Sequence, residues 1–260
     1  MSNSVAGTTP PGTQSEQQAA SWVQQMFAAI APRYDLLNHL LSLNIDRGWR
    51  KALTRQLAPI LARPEAKILD LCCGTGDVMF EFKKSSHAMV MGADFCHPML
   101  IAAARKSSRQ AGAPYLIEAD ALGLPLADES LDAISIAFGF RNLSNYACGL
   151  RELYRVLKPG GTLAILEFSH PAGRLTKTAY RIYSGVLLPM AGRIISGSRE
   201  AYSYLPESIR KFPRAEELRR MMEQAGFWET RFVLLSGGIA ALHSGVRSTA
   251  GAGSAAAAAF

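Results

Sequence analysis

The sequence predicts an α/β protein whose parallel, doubly wound sheet ends in a C-terminal antiparallel hairpin. Short apolar runs alternate with helical patterns, an order that covers both faces of a parallel sheet with helices. Two later runs, Arg231–Leu235 and Ile239–His243, flank Ser236-Gly237-Gly238 and predict the hairpin. The five runs predicted to form the parallel part are Lys67–Leu71, Met89–Asp94, Tyr115–Glu118, Leu131–Phe138 and Thr162–Phe168.

Helices are predicted between these strands, at residues 77–85, 98–111 and 145–157. Each stretch repeats its apolar residues at helical spacing. The last of them ends at Lys158-Pro159-Gly160-Gly161, which predicts a turn before the fifth strand.

The domain boundaries follow from changes in composition. We expect one domain over residues 16–247, which begins with a helical cap at 16–60 and contains an insertion or lid at 170–213. Residues 1–15 and 248–260 are low in complexity and are expected to be disordered tails.

Composition excludes several classes of protein. The 260 residues are 48% hydrophobic and 19% charged, which is typical of a globular chain rather than a disordered one. No apolar stretch is long enough to span a membrane, and the N-terminus does not resemble a secretory signal. The four cysteines suit neither a disulfide framework nor a zinc site, so we expect no metal and a cytoplasmic location.

The positive charge is concentrated in one segment. The chain carries a net charge of +7, and residues 170–220 hold ten basic and four acidic residues, a difference of +6. Such a segment suits an anionic lipid surface or nucleic acid. Charge alone favours the simpler interpretation of a solvated helical face.

A glycine-containing loop after the first strand predicts a cofactor site. Gly74 and Gly76 let the backbone approach a ligand closely, and Thr75 adds a hydroxyl. Asp94 lies twenty residues after Gly74, the spacing of an acid that accepts from ribose hydroxyls, although it could also cap a helix. Asp120 follows the third strand and could accept from an adenine amino group. The loop lacks the third glycine of a dinucleotide fingerprint.

Four segments in this order resemble the class I S-adenosylmethionine-dependent methyltransferases. They are DLCCGTGD (70–77), GADF (92–95), EADAL (118–122) with LPLADESLD (124–132), and RVLKPGGTL (155–163). The resemblance implies a Rossmann-like seven-stranded fold and S-adenosyl-L-methionine as methyl donor. Cys72 replaces the first glycine of the family's usual loop. The residues expected to bind the cofactor are Gly74, Thr75, Gly76, Asp94, Asp120, Ala121 and Ala137.

Further motifs resemble the ubiquinone/menaquinone biosynthesis C-methyltransferases. RYDLLN (33–38) and FGFRN (138–142) are specific to that family, and the runs 202–213 and 238–245 are also similar. The resemblance spans residues 20–247. It implies methylation of a ring carbon of a lipophilic prenylated hydroquinone, either demethylmenaquinol or the benzoquinol of ubiquinone synthesis. Because this substrate is lipophilic, we also expect transient membrane-surface contact on the inner face of the cell membrane. The sequence has no RNA-binding signature, so we expect no nucleic acid partner. A homodimer or a complex with pathway enzymes stays open.

The resemblance assigns catalysis to Arg141 and Asn142 together with Tyr34. The guanidinium of an arginine keeps its proton at physiological pH, so it cannot readily act as a base. Arg141 is therefore expected to stabilise an oxyanion or to position a deprotonated water. Asn142 can donate to a quinol oxygen. A salt bridge and a helix cap are the structural alternative for this pair. Asp35 and His39 could form a different acid–base pair, while packing and a surface contact remain the simpler interpretation.

Other readings stay open at this point. Glu167 and His170 follow the fifth strand and could line the pocket. The protein could methylate another small molecule. It could also have the methyltransferase fold without catalytic activity and bind RNA or a partner through residues 170–220. A nicotinamide oxidoreductase is disfavoured by the missing glycine.

Overall fold

The computed structural model describes residues 7–35, 44–84, 86–107, 115–171, 173 and 199–249. Seven strands form one sheet: β1 (Lys67–Leu71), β2 (Met89–Asp94), β3 (Tyr115–Glu118), β4 (Leu131–Ala137), β5 (Leu157–Phe168), β6 (Phe227–Leu235) and β7 (Ala240–Arg247). The described helices are α1 (Glu16–Ile30), α2 (Ile45–Leu61), α3 (Asp77–Lys84), α4 (His97–Ser107), α5 (Tyr146–Val156), α6 (Arg199–Lys211) and α7 (Ala215–Gln224). Short 3₁₀ turns lie at Ala31–Arg33, Phe140–Asn142 and Ser236–Gly238.

The strands lie in the order β3-β2-β1-β4-β5-β7-β6. The first five are parallel, and β7 runs antiparallel to both β5 and β6. The predicted parallel sheet with a C-terminal antiparallel hairpin is therefore confirmed. The chain reverses its direction of winding between β1 and β4, and this switch point opens a crevice at the carboxyl ends of those strands.

Both faces of the sheet are buried, as the apolar strand sequences require. Ile68 and Leu69 on β1 are fully buried in two separate clusters, one on each face. Helix α2 covers one face with Leu53 and Leu57, which lie one turn apart, and α5 covers the other with Leu150. The sheet edge that carries the crevice is thus held rigidly from both sides.

Several strands are longer than predicted because their pairing is long-range. Strand β5 begins at Leu157 rather than Thr162, since Leu157 pairs with Leu131 before the register breaks. The turn predicted at residues 158–161 lies between the paired residues Leu157 and Thr162, where Gly160 has a φ of 77°. Strand β6 likewise starts four residues earlier than predicted, and β7 extends to Arg247.

The structure differs from the prediction at residues 7–15, which we call the N-terminal strap. The Thr8 backbone N–H donates to the Leu143 carbonyl at 2.8 Å, and Ser15 caps α1 by accepting from the Gln18 N–H. The bond of Thr8 attaches the strap to a residue distant in sequence, which its composition does not reveal. At the other end the Ser248 hydroxyl lies 2.8 Å from that of Tyr154. Residues 1–6 and 250–260 lie outside the described part of the chain.

The predicted insertion at 170–213 is described only in part. Its last portion forms α6, which packs Ile209 and Tyr204 into the protein. Residues 172 and 174–198, which make up most of this predicted lid, lie outside the described ranges. None of the helices in the described ranges is long and apolar enough to cross a bilayer.

At the switch point the chain segments leaving β1 and β4 cross in close contact. Cys72 and Phe138 both have left-handed backbones, with φ of 55° and 60°. A Cβ atom on Gly139 would lie 2.3 Å from the Cβ of Cys72. Only a residue without a side chain fits at position 139, and the turn that follows it is placed accordingly.

We therefore expect Gly139→Ala to lower the free energy of unfolding by about 1–3 kcal/mol through overpacking. Cys72→Gly should suppress this loss in the double variant, because it removes the opposing Cβ. Urea denaturation of the two single variants and the double variant tests both statements. Gly123→Ala is the control, since nothing lies within 4 Å of the added Cβ there. An unfolding curve for Gly139→Ala that matches this control would contradict the argument.

Candidate active site

The loop after β1 forms one wall of the crevice. Gly74 and Gly76 have φ of 55° and 86°, the left-handed region that favours glycine. A Cβ on Gly76 would lie 2.9 Å from the ring of Phe80 and 3.0 Å from the terminal methyl of Met79. The loop therefore packs its backbone tightly onto α3 at this end of the crevice.

The carboxylate of Asp94 organises this loop from the end of β2. Its Oδ2 accepts from the Gly74 N–H at 2.8 Å, and its Oδ1 accepts from the Cys96 N–H at 2.9 Å. Burial raises the pKa of Asp94 to about 6. The backbone N–H of Phe95 also bonds to this carboxylate, and a carboxylate can accept about four hydrogen bonds, so room remains for a ligand donor. The sequence analysis gave two interpretations of Asp94, as an acceptor for ribose hydroxyls and as a helix cap. This geometry is compatible with both.

A second carboxylate, Asp70, lies beneath the loop. Its Oδ2 accepts from the Met79 N–H at 3.1 Å, and its Oδ1 accepts from the Ser135 hydroxyl at 2.8 Å. It therefore joins the start of α3 to strand β4. Burial raises the pKa of Asp70 to about 7.

The remaining residues predicted to bind the cofactor lie along the same carboxyl edge of the sheet. Thr75 is buried, and Ala121 is buried just after β3. Ala137 ends β4 beside β1 and is half-buried. Asp120 is exposed, and its Oδ1 accepts from the Leu122 N–H at 2.9 Å. The structure thus places all seven predicted residues at the ends of β1 to β4.

Arg141 and Asn142 lie in the 3₁₀ turn after β4, and both are buried. The Arg141 Nη1 donates to Glu167 Oε1 at 3.0 Å and to the carbonyl of Phe138. The Arg141 backbone N–H also donates to Glu167 Oε2 at 3.2 Å. Its Nε is buried and has no hydrogen-bond partner among the described residues. Among the described residues, this buried cation therefore has a donor without a partner.

The charge on Arg141 is maintained by its neighbours. Burial by itself would lower the pKa of Arg141, but the carboxylate of Glu167 and nearby phenol groups raise it overall. The guanidinium carbon also lies 5.4 Å from the centre of the Phe168 ring, a cation–π contact. Arg141 is thus a permanent cation, and Glu167, which the sequence marked only as a pocket candidate, is its direct partner.

Tyr34 reaches this crevice from the N-terminal cap. A Cβ on Gly74 would lie 3.6 Å from the Tyr34 ring, so the ring covers the glycine loop. The Tyr34 phenol also interacts electrostatically with both Arg50 and Arg141. The structure therefore brings together Tyr34, Arg141 and Asn142, the three residues predicted to be catalytic.

An ionic network beside the glycine loop was missed by the sequence analysis. Asp35 accepts from the Thr75 hydroxyl at 2.5 Å and pairs with the Lys106 Nζ at 2.7 Å. Lys106 also pairs with Asp77 at 2.6 Å, and Asp77 pairs with Arg50. These partners are far apart in sequence, so no local motif indicates them. The suggested partner of Asp35, His39, lies outside the described residues.

Two polar groups complete the surroundings of Asn142. Its Oδ1 accepts from the Tyr204 hydroxyl at 3.0 Å, and that hydroxyl lies 2.7 Å from the Thr8 hydroxyl. Tyr204 belongs to the C-terminal run 202–213 used for the family resemblance, but nothing in that run indicates its partner. His170, the other pocket candidate, is half-buried just after β5.

The raised pKa of Asp70 predicts a pH dependence of stability. Its carboxyl holds a proton more tightly when folded than when unfolded, where its pKa is near 3.9. Its contribution to the free energy of unfolding is complete below about pH 4 and is lost as the pH rises through about 7, at up to about 1.4 kcal/mol per pH unit. Asp70→Asn should make that pH profile flatter in urea denaturation between pH 4.5 and 8. Parallel profiles for the two proteins would show that Asp70 titrates normally.

Comparison with known proteins gives the same picture as the motifs. Residues 13–247 match the ubiE/COQ5 methyltransferase family. The demethylmenaquinone methyltransferase of Deinococcus radiodurans is 44% identical over 236 residues, which cover 90% of this chain and 96% of that protein. The ubiquinone/menaquinone biosynthesis C-methyltransferase of Syntrophotalea carbinolica is 47% identical over 227 residues, which cover 87% of this chain and 94% of that protein.

Among solved structures, an S-adenosylmethionine-dependent methyltransferase of Thermotoga maritima shares the fold. Its TM-score is 0.60 at 20% identity, with 86% of this chain and all of that chain covered. That likeness concerns the fold alone, whereas the sequence matches extend over nearly the whole chain, including the glycine loop and the turn that carries Arg141. The chain belongs to the ubiE/COQ5 methyltransferase family.

Proposed function

We propose that this protein transfers a methyl group from S-adenosylmethionine to a ring carbon of a prenylated hydroquinone, in menaquinone or ubiquinone biosynthesis. The observation that carries the proposal is the buried Arg141 cation, held by Glu167 in the turn after β4, in a chain of this family. Relatives named demethylmenaquinone methyltransferase support a naphthoquinol, and relatives named for both quinones extend the proposal to a benzoquinol.

The residues at the carboxyl edge of the sheet suit S-adenosylmethionine. The left-handed glycines fix the path of the loop backbone, and Asp94, which bonds to three backbone N–H groups, retains acceptor capacity for a ligand. We assign the binding of this cofactor to Gly74, Thr75, Gly76, Asp94, Asp120, Ala121 and Ala137. When bound, it supplies an activated methyl group on a sulfonium.

The task left to the protein is to align the acceptor carbon and to increase its nucleophilicity. Alignment alone contributes several kcal/mol. A hydroquinone carbon becomes a strong nucleophile when the adjacent hydroxyl loses its proton, because the resulting oxyanion delocalises into the ring. A fixed cation at that oxygen stabilises the anion as it forms. We assign this role to Arg141.

Asn142 and Tyr34 would complete the contacts to the acceptor. With its Oδ1 bonded to Tyr204, Asn142 presents its amide N–H groups as donors for a quinol oxygen. Tyr34 covers the glycine loop and lies within electrostatic range of Arg141. Its phenol is thus near both the cofactor loop and the oxyanion-stabilising cation.

Glu167 acts through Arg141 rather than on the acceptor. It is fully buried, and it accepts from the Arg141 side chain and from the backbone N–H groups of Arg141 and Phe168. These bonds fix both the position and the charge of the guanidinium. Glu167 is therefore a positioning residue in this proposal.

The proposed activity is tested with labelled S-adenosylmethionine and two reduced acceptors, a demethylmenaquinol and a demethyl-benzoquinol. Product labelled on the ring carbon of either acceptor supports the proposal, and the ratio gives the ring preference. Cofactor binding without transfer to either ring would redirect the search to another small-molecule acceptor. Salt-sensitive RNA binding without turnover would instead favour a silent methyltransferase fold.

We expect Arg141→Ala to lower kcat for methyl transfer by roughly 100- to 1000-fold, the cost of removing one oxyanion donor. S-adenosylmethionine binding should persist, because all the assigned cofactor residues except Ala137 lie at the ends of β1, β2 and β3 or in the segments that follow them. Calorimetric titration with the cofactor and initial rates with the quinol separate the two effects. Arg231→Ala on β6 is the matched control, as its side chain is exposed and bonds to Ser244 at 3.3 Å. Activity that survives in Arg141→Ala would remove this residue from the chemistry.

We further propose that the protein, otherwise cytoplasmic, meets its substrate at the inner face of the cell membrane. An isoprenoid chain keeps the quinol in the bilayer, and the excess of +6 over residues 170–220 suits anionic lipid. Arg210 and Arg214 are exposed where α6 meets α7. The basic side chain of Arg219, in contrast, is paired with Glu216 and Glu223. A homodimer or a complex with neighbouring pathway enzymes stays a prediction.

Flotation with phosphatidylglycerol-containing vesicles should recover the protein, and pure phosphatidylcholine should not. The double variant Arg210→Gln/Arg214→Gln should bind anionic vesicles roughly 10- to 30-fold more weakly, at about 1 kcal/mol per basic residue. Arg219→Gln, which removes a paired arginine, should change binding little. Equal recovery on both lipids would exclude an electrostatic contact.

A further inference from the structure

A buried chain of hydrogen bonds leads from the N-terminal strap to the candidate active site. The Thr8 hydroxyl lies 2.7 Å from the Tyr204 hydroxyl, which donates to Asn142 Oδ1 at 3.0 Å. All three side chains are buried, at 7%, 3% and 8% exposure. The three residues come from segments far apart in the sequence, so the chain exists only in the folded protein.

The direction of this chain follows from the number of protons available. A tyrosine hydroxyl has one proton, and here it is donated to the Asn142 carbonyl oxygen. The Tyr204 oxygen must then accept from Thr8, whose hydroxyl is the donor of the first bond. Burial raises the pKa of Tyr204, so the phenol keeps its proton across the physiological range.

In this arrangement the Oδ1 end of the Asn142 amide faces Tyr204. With Oδ1 held by Tyr204, the two N–H groups of Nδ2 point elsewhere. Among the described residues, no group accepts a hydrogen bond from Asn142 Nδ2. Without Tyr204, the amide could rotate by 180° and present an acceptor where a donor is needed.

The surroundings hold Tyr204 and Thr8 in place. The ring of Trp22 packs against that of Tyr204 with centroids 5.0 Å apart. The strap is anchored because Lys211 Nζ donates to the Thr9 carbonyl at 3.1 Å. A Cβ on Gly7 would lie 2.0 Å from the Ser144 carbonyl oxygen, so the strap lies directly against the backbone that follows the turn carrying Arg141 and Asn142.

We propose that Tyr204, held by Thr8 of the N-terminal strap, is a positioning residue that fixes the Asn142 amide with its donor side toward the reacting quinol oxygen. The inference rests on the proposed function for its catalytic consequence. The strap and α6 thereby become part of the active-site architecture, although neither supplies a group that touches the acceptor.

Tyr204→Phe removes the hydroxyl and keeps the ring. We expect kcat for methyl transfer to fall roughly tenfold, the cost of one lost hydrogen bond, with KM for the quinol nearly unchanged. Thr8→Val should give a smaller loss, and Thr8→Ser should retain activity because it keeps the donor. Tyr154→Phe is the matched control, since it removes another hydrogen-bonded tyrosine hydroxyl at the far end of α5.

A double-mutant cycle separates positioning from simple stabilisation. In an Asn142→Ala background, Tyr204→Phe should lower kcat no further, because the group that it positions is gone. Additive losses in kcat, or a wild-type kcat for Tyr204→Phe alone, would overturn the proposal.

A second measurement does not depend on turnover. In protein labelled with ¹⁵N-asparagine, the side-chain amide signals of Asn142 are those that vanish in Asn142→Ala. They should shift in Tyr204→Phe and stay in place in Tyr154→Phe. If no quinol is methylated by the wild-type protein, the proposed function fails, while these signals still decide whether the hydrogen-bond chain exists. Unchanged Asn142 signals in Tyr204→Phe would overturn the inference in either case.

Discussion

The ion pair between Arg141 and Glu167 is the constraint on which the candidate site depends. Either charge alone, buried at this position, would cost several kcal/mol, so each requires the other. The same carboxylate accepts from the backbone of Arg141 and of Phe168, and it thereby joins the turn after β4 to the end of β5. A cation held in this way needs no reorganisation when negative charge develops beside it.

Much of the fold could be predicted because its signals are local. The bounds of β1, β2 and β3 were predicted correctly from short apolar runs between helical patterns. The start of β5 was not, because Leu157 joins the sheet by pairing with Leu131, a residue far away in the sequence. The packing of the strap was also missed, since its polar, glycine- and proline-containing composition is typical of a disordered tail and the bonds of Thr8 that attach it are with distant residues.

The candidate site shows the same division. The glycine loop and the FGFRN turn could be predicted, because each is a contiguous motif at the end of a strand. The bond between Asp35 and Thr75 and the contact of Tyr204 with Asn142 could not, since each joins two motifs with no regular spacing.

Cys72 belongs to neither group. It keeps a left-handed φ where the family usually has glycine, so this substitution changes the side chain and leaves the path of the backbone. Burial raises the pKa of its thiol, which keeps it protonated and unreactive.

The attachment of the strap has a thermodynamic consequence. Coupling between two sites is reciprocal: whatever the docked strap adds to the affinity for an acceptor, a bound acceptor adds equally to the docking of the strap. Because KM for the quinol is expected to stay nearly unchanged when Tyr204 loses its hydroxyl, that mutual contribution is small. The strap is therefore expected to stay docked whether the crevice is empty or filled, and it acts on the rate of the reaction rather than on the capture of the acceptor.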